Sequence, residues 1–111
     1  MNATIYYNPR CGTSRNTLAL LTEVGADITI IEYLKHPPTV AELSRLYARA
    51  GLSPREGLRM TEPAAKALED ATDADVLEAM AIDPILIQRP LVETDKGVVL
   101  ARPPERVHAI L

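Results

Sequence analysis

Cys11 is the only cysteine in the chain, and its neighbours place it where a lone thiol can do chemistry. Before it runs Ala3-Thr4-Ile5-Tyr6-Tyr7, short, apolar and β-prone. After it, Gly12-Thr13-Ser14-Arg15-Asn16-Thr17-Leu18 opens an amphipathic helix. A strand thus feeds a tight Asn8-Pro9-Arg10 loop, and the loop delivers sulfur to a helix N-terminus. Unpaired backbone N–H groups there favour negative charge. They stabilise thiolate over thiol, and thiolate is the nucleophile. Arg10 and Arg15 flank the position, so Arg10, Gly12, Thr13, Ser14 and Arg15 are read as the thiolate-activating set. Free cysteine is commonly an inert core filler. A cysteine between proline, arginine and glycine at a strand end fits that role poorly, and Cys11 is read as a reactive, partly exposed thiol.

A low-pKa thiolate serves disulfide exchange, covalent acyl or phosphoryl-type catalysis, or metal binding. Metal binding lacks partner ligands, because His36 and His108 are far apart and read as surface histidines. Neither histidine sits in the context of a hydrolase base. The remaining signal is arginine. Arg59, Arg89 and Arg102 each stand beside apolar or proline residues rather than in a polar run. Any one of them alone reads as a snorkelling surface side chain. Arg89 and Arg102, however, bracket an expected hairpin and come near one end of the sheet. If that end also carries Cys11, the thiolate faces guanidinium forks suited to a tetrahedral oxyanion, since arginine binds such oxygens bidentately and keeps its charge. Pro90, just before a strand, is placed to be a cis residue pressing on the cysteine loop, although trans is the default.

The elements that must position these groups follow from pattern. A helix over 14–24 carries Leu18, Leu21 and Val24 on one face and stops at Gly25. Ile28-Thr29-Ile30-Ile31 reads as a second strand, which makes a parallel βαβ unit. Pro37-Pro38 then breaks the chain. Thr39-Val40-Ala41-Glu42 is a capping box before a Leu43, Leu46, Tyr47, Ala50 stripe. Further helix starts occur at Ser53-Pro54, at Pro63 and at Thr72, so the middle third is a string of short helices. Leu91–Glu93 and Val98–Ala101 read as a hairpin turning through Thr94–Gly97, and Pro103-Pro104 starts a last short helix. The order is β-α-β, helices, β-β-α. It predicts an α/β fold with a small mixed sheet flanked by helices and a helical insertion between the second and third strands, all within one domain over residues 1–111.

At 111 residues the chain is long enough for a real core, and its net charge is −3. There is no basic tract interleaved with aromatics, so nucleic acid is not expected as a partner. One cysteine cannot close an intramolecular disulfide, so the cytoplasm is the expected compartment. Neither a signal peptide nor a membrane span is expected.

Several separated segments together resemble the ArsC family of glutaredoxin-dependent arsenate reductases. They are Tyr6-Tyr7-Asn8-Pro9-Arg10-Cys11-Gly12-Thr13-Ser14-Arg15-Asn16-Thr17, Tyr33-Leu34-Lys35-His36-Pro37-Pro38, Gly57-Leu58-Arg59, Pro84-Ile85-Leu86-Ile87-Gln88-Arg89-Pro90 and Ala101-Arg102-Pro103. The resemblance implies a thioredoxin-like fold and the reduction of arsenate to arsenite. In it Cys11 is the nucleophile, Arg59, Arg89 and Arg102 hold arsenate, and Asn8 and Pro90 are structural residues near the site, with Pro90 as a cis-proline. It further implies no bound cofactor, glutathione as co-substrate and glutaredoxin as partner. The lone cysteine agrees, because a chain without a second thiol needs an external reductant. Tyr7 stands where a histidine is common, Gln88 replaces a frequent asparagine, and the segment after Arg59 is short. Two rival readings belong to the same resemblance. One is a glutathione-dependent thiol oxidoreductase using Cys11-Gly12-Thr13-Ser14 as a monothiol site. The other is a non-redox transcription regulator, a redox-sensing one being excluded by Ser14 in place of a second cysteine.

Overall fold

The computed structural model describes residues 1–111, which divide into two compact units. One comprises Met1–His36 and Arg89–Leu111; the other is Pro37–Gln88.

The first unit holds strand β1 (Asn2–Tyr7), helix α1 (Gly12–Glu23), strand β2 (Asp27–Glu32), strands β3 (Leu91–Thr94) and β4 (Gly97–Leu100), and a closing 3₁₀ helix over Pro104–Ile110. The sheet order is β2-β1-β3-β4. β1 pairs parallel to β2, with Tyr7 opposite Glu32, and antiparallel to β3, with Tyr6 opposite Leu91. β3 pairs antiparallel to β4, with Leu91 opposite Leu100. The register has one consequence for function. The end of β1, the end of β2, the start of β3 and the end of β4 all lie at the same edge of the sheet. Everything that leaves or enters there, from Asn8 through Tyr33 and Arg89 to Arg102, is gathered at that edge.

Alternation along β1 puts Ala3 and Ile5 into a core with Leu21, Val92, Ala101, Val107 and Ile110, and Tyr7, Leu18, Ile28 and Val99 pack against it. Each large apolar side chain buried there contributes on the order of 1.5–3 kcal/mol. α1 begins two residues earlier than its apolar pattern suggests, with Cys11 as N-cap. Its buried face is Ser14, Thr17 and Leu21, while Val24, expected on that face, is 51% exposed at the helix end. The hydroxyl of Thr17 is accommodated by donating to the Thr13 carbonyl at 2.8 Å. Gly25 takes the left-handed conformation (φ 75°) that ends the helix, as its position predicts. The last helix is 3₁₀ rather than α. It is tied to the hairpin by the Thr94 hydroxyl, which donates to the Ile110 carbonyl at 2.6 Å, and by Lys96 Nζ, which donates to the Leu111 carbonyl at 2.8 Å.

The second unit is the helical segment between the second and third strands. It contains α2 (Val40–Ala50), a 3₁₀ turn over Pro54–Gly57, α3 (Pro63–Lys66), α4 (Asp73–Ile82) and a 3₁₀ turn over Pro84–Leu86. Thr39 and Glu42 form the expected capping box, and Ser53 and Glu56 form a second one. Each such cap is worth about 1 kcal/mol. Leu43, Leu46 and Tyr47 of α2 are buried, as are Val76, Leu77 and Met80 of α4. The Tyr47 hydroxyl donates to the Met80 sulfur at 3.6 Å. Gly57 lies against the Tyr47 ring so closely that a Cβ there would stand 2.4 Å from ring carbons. Leu58 bridges Ile87 antiparallel, Arg59 N–H donates to the Leu86 carbonyl and Gln88 N–H to the Gly57 carbonyl, both at 2.8 Å.

Candidate active site

The loop from Asn8 to Cys11 is closed by its own backbone. Cys11 N–H donates to the Asn8 carbonyl at 3.0 Å, and Arg15 N–H donates to the Cys11 carbonyl at 3.0 Å as the first bond of α1. Asn8 is the hub of this turn and is buried. Its side-chain oxygen accepts from Arg10 N–H at 2.9 Å, its side-chain nitrogen donates to the Tyr33 hydroxyl at 3.4 Å, and its N–H donates to Ser14 Oγ at 3.4 Å. Tyr33, fully buried, is a positioning residue that pattern reading passed over. The signal for it was the β1–β2 register: with Tyr7 opposite Glu32, the next residues along are Asn8 and Tyr33.

Cys11 is 7% exposed, more enclosed than the sequence reading expected. Burial pushes its thiol pKa up. The Ser14 N–H and hydroxyl, the positive charge of Arg89 and the Thr13 N–H outweigh that, and the pKa comes down from 9.0 to about 7. The physical cause is therefore helix-terminal donors plus one guanidinium. Ser14 Oγ accepts from Asn8 N–H while its own proton is directed to sulfur, so the loop backbone polarises the donor. Arg10 and Arg15, flanking in sequence, are both exposed. Arg15 donates instead to the Pro9 carbonyl at 2.9 Å, bracing the loop from outside. A Cβ on Gly12 would meet only Arg15 Nη2 at 3.8 Å, so the approach over Gly12 is open.

Arg102 arrives from the far end of the chain. Its Nη1 donates to the Arg89 carbonyl at 3.0 Å and stands 3.8 Å from Cys11 Sγ. The Arg89–Pro90 peptide bond is cis, and so is Arg102–Pro103, a second cis bond for which the sequence reading had no signal. Ala101 N–H donates to the Pro90 carbonyl at 2.9 Å, joining the two ends of the hairpin beneath both arginines. Arg59 belongs to the helical unit. There its Nη1 lies 3.5 Å from Glu62 Oε1, and its Nε is buried without a hydrogen-bond partner. No group of three or more His, Cys, Asp or Glu side chains is placed to hold a metal ion, and no helix is long and apolar enough to cross a membrane. A thiol whose pKa is lowered to about 7 at a helix N-terminus, with a guanidinium beside it, can attack an electrophile and stabilise negative oxygens that the attack brings close.

A β-α-β start, a β-hairpin finish, a thiol at the first helix and a cis-proline ahead of the third strand define a thioredoxin-like domain with a helical insertion. A family model described as "ArsC family" matches residues 6–110. The chain is 48% identical over 115 residues to an arsenate reductase of Rhizobium meliloti (strain 1021), covering all of this chain and 82% of that one. It is 46% identical over 114 residues to an arsenate reductase of Escherichia coli (strain K12), covering 99% and 81%. The solved structure of an arsenate reductase from Vibrio cholerae superposes with a TM-score of 0.94 at 41% identity, covering 100% of this chain and 98% of that one. The chain belongs to the ArsC family.

Proposed function

We propose that this protein reduces arsenate to arsenite, with the Cys11 thiolate as nucleophile. The observation that carries the reading is a thiol with a pKa of about 7 facing the Arg102 guanidinium at 3.8 Å, in a chain nearly half identical to arsenate reductases.

In the first step Cys11 sulfur bonds to As(V) and a water leaves, a condensation without redox change. Arg102 and Arg89, joined through the Arg89 carbonyl, hold the arsenate oxygens, and the family resemblance adds Arg59 as a third arginine for arsenate. Held donors of this kind are worth most where charge concentrates on oxygen. In the second step the thiol of glutathione attacks Cys11 sulfur. The S–As bond breaks, its electron pair reduces As(V) to As(III), and the thiol proton completes arsenous acid. Cys11 is left as a mixed disulfide with glutathione. Glutaredoxin then takes the glutathionyl group by thiol–disulfide exchange and returns the Cys11 thiol. With one cysteine in the chain, both reducing thiols come from outside. The cycle belongs in a compartment that keeps glutathione reduced, the cytoplasm.

The test is NADPH oxidation coupled through glutathione reductase, with arsenate, glutathione and glutaredoxin present. Consumption should require arsenate and vanish in Cys11→Ser. Consumption that runs without arsenate on a glutathionylated disulfide substrate, and is not increased by arsenate, would replace the reductase reading with the general thiol oxidoreductase.

A further inference from the structure

Beside the Cys11 loop, within the sheet-bearing unit, a groove of about 210 Å³ opens between the Tyr7–Arg10 stretch and Glu32, Leu34 and Lys35. Nothing in the arsenate chemistry above uses it. It carries two cations, Arg10 and Lys35, and one carboxylate, Glu32, around apolar surface from Tyr7, Pro9 and Leu34. Leu34 is 42% exposed at its lip. The Glu32–Lys35 pair spans 3.8 Å with side chains 38% and 71% exposed, so it parts readily when a better partner arrives. A tetrahedral oxyanion is a poor occupant, because Glu32 repels it and most of the wall is apolar.

We propose that this groove binds the peptide body of the thiol co-substrate, an inference that rests on the glutathione-dependent cycle above. The charges match one for one: glutathione carries two carboxylates and one ammonium, the groove two cations and one carboxylate. Its methylenes suit Tyr7 and Leu34. The reach is also adequate. Arg10 is the residue next to Cys11, and the two residues of peptide separating the glutathione thiol from its terminal carboxylate extend to roughly 7 Å. A tail seated against Arg10 therefore leaves the thiol within range of the sulfur it must attack. The groove thus assigns substrate selection to two places, oxyanion recognition on the arginine side of Cys11 and reductant recognition on the β2 side.

Two measurements test this. In the first, uniformly ¹⁵N-labelled protein is titrated with S-methylglutathione, which cannot form a disulfide. Amide shifts should change at Tyr7, Arg10, Leu34 and Lys35 and stay still at the hairpin turn around Lys96; changes confined to another face would overturn the assignment. In the second, Lys35→Glu should raise the half-saturating glutathione concentration about threefold to fivefold, the size of one surface charge contact. The half-saturating arsenate concentration and the alkylation rate of Cys11 should hold, which a general structural defect would not allow. An unchanged glutathione requirement would sink the proposal. Groove shifts in a protein that turns over no arsenate would instead overturn the reductase reading and leave the groove standing.

Discussion

Arg102 Nη1 is held 3.8 Å from Cys11 Sγ while donating to the Arg89 carbonyl at 3.0 Å, so a residue 91 positions away in the chain faces the thiol from a fixed mount. The hydrogen bond to the Arg89 backbone removes much of the freedom a long side chain would otherwise lose on binding an anion. It also links the two guanidinium-bearing residues into one cationic wall. The wall rests on the hairpin, whose strands pair Leu91 with Leu100.

Thiolate formation should follow the hydrogen bonds. The rate of Cys11 alkylation by iodoacetamide should rise with pH through a midpoint of about 7. Ser14→Ala removes one of the two Ser14 donors and should shift that midpoint upward, because the lost bond stabilised the charged form. An unshifted midpoint would show that the hydroxyl contributes nothing to the thiolate. The sign extends to stability. A thiol whose pKa falls on folding adds stability that is present in full above its unfolded value and is lost as pH drops through about 7. Urea unfolding at pH 6 and pH 9 should therefore show wild type gaining on Cys11→Ala at the higher pH.

Arg102→Ala should lower arsenate turnover by roughly 10²-fold or more, as loss of a held oxyanion donor does. Arg102→Lys should recover only part of it, since an ammonium keeps the charge and loses the fork. Steady-state kinetics on the three proteins reads the difference, and full recovery by lysine would mean that charge alone matters.

Arg59→Ala should cripple arsenate turnover while sparing Cys11 alkylation. In the structure its Nη1 lies 3.5 Å from Glu62 Oε1 and its Nε is buried without a hydrogen-bond partner. Equal loss of turnover and alkylation would mean that the residue shapes the thiol, and its oxyanion role would fail.

Tyr33→Phe removes the acceptor that Asn8 Nδ2 uses at 3.4 Å. The cost to stability should be about 1 kcal/mol. Because Asn8 also donates to Ser14 Oγ, the alkylation midpoint should rise as well. A stability loss with an unmoved midpoint would confine Tyr33 to packing.

Gly57→Ala places a Cβ 2.4 Å from the Tyr47 ring, which is buried and cannot retreat freely. Overpacking of this kind costs about 1–3 kcal/mol. Thermal unfolding should show a clear drop in Tm, and a wild-type Tm would show that the ring relocates at no cost.

Much of this molecule was legible from local chemistry. The capping box at Thr39, the helix start at Ser53-Pro54, the stop at Gly25, the hairpin around Lys96 and the string of short helices are all decided by residues within a few positions of one another. So is the placement of Cys11 at a helix N-terminus, because the strand, the loop and the helix start are contiguous. Elements whose character depends on distant packing were less legible. The last helix is 3₁₀, tied down by Thr94 and Lys96, and Val24 leaves the apolar stripe because the helix has ended there.

The amino-acid order by itself determined a single thiol, its helix-terminal setting, the absence of an internal resolving partner and the order of strands and helices, since each of these is a property of neighbouring residues. Which charge faces the sulfur was decided only in three dimensions. Arg10 and Arg15 are nearest in sequence, yet it is Arg89 that lowers the thiol pKa and Arg102 that stands against Sγ. The same holds for Tyr33 beneath Asn8 and for the groove along β2. The reason is strand register: pairing β1 parallel to β2 and antiparallel to β3 brings four chain ends to one edge, and Coulomb attraction and hydrogen bonding depend on distance through space rather than along the chain.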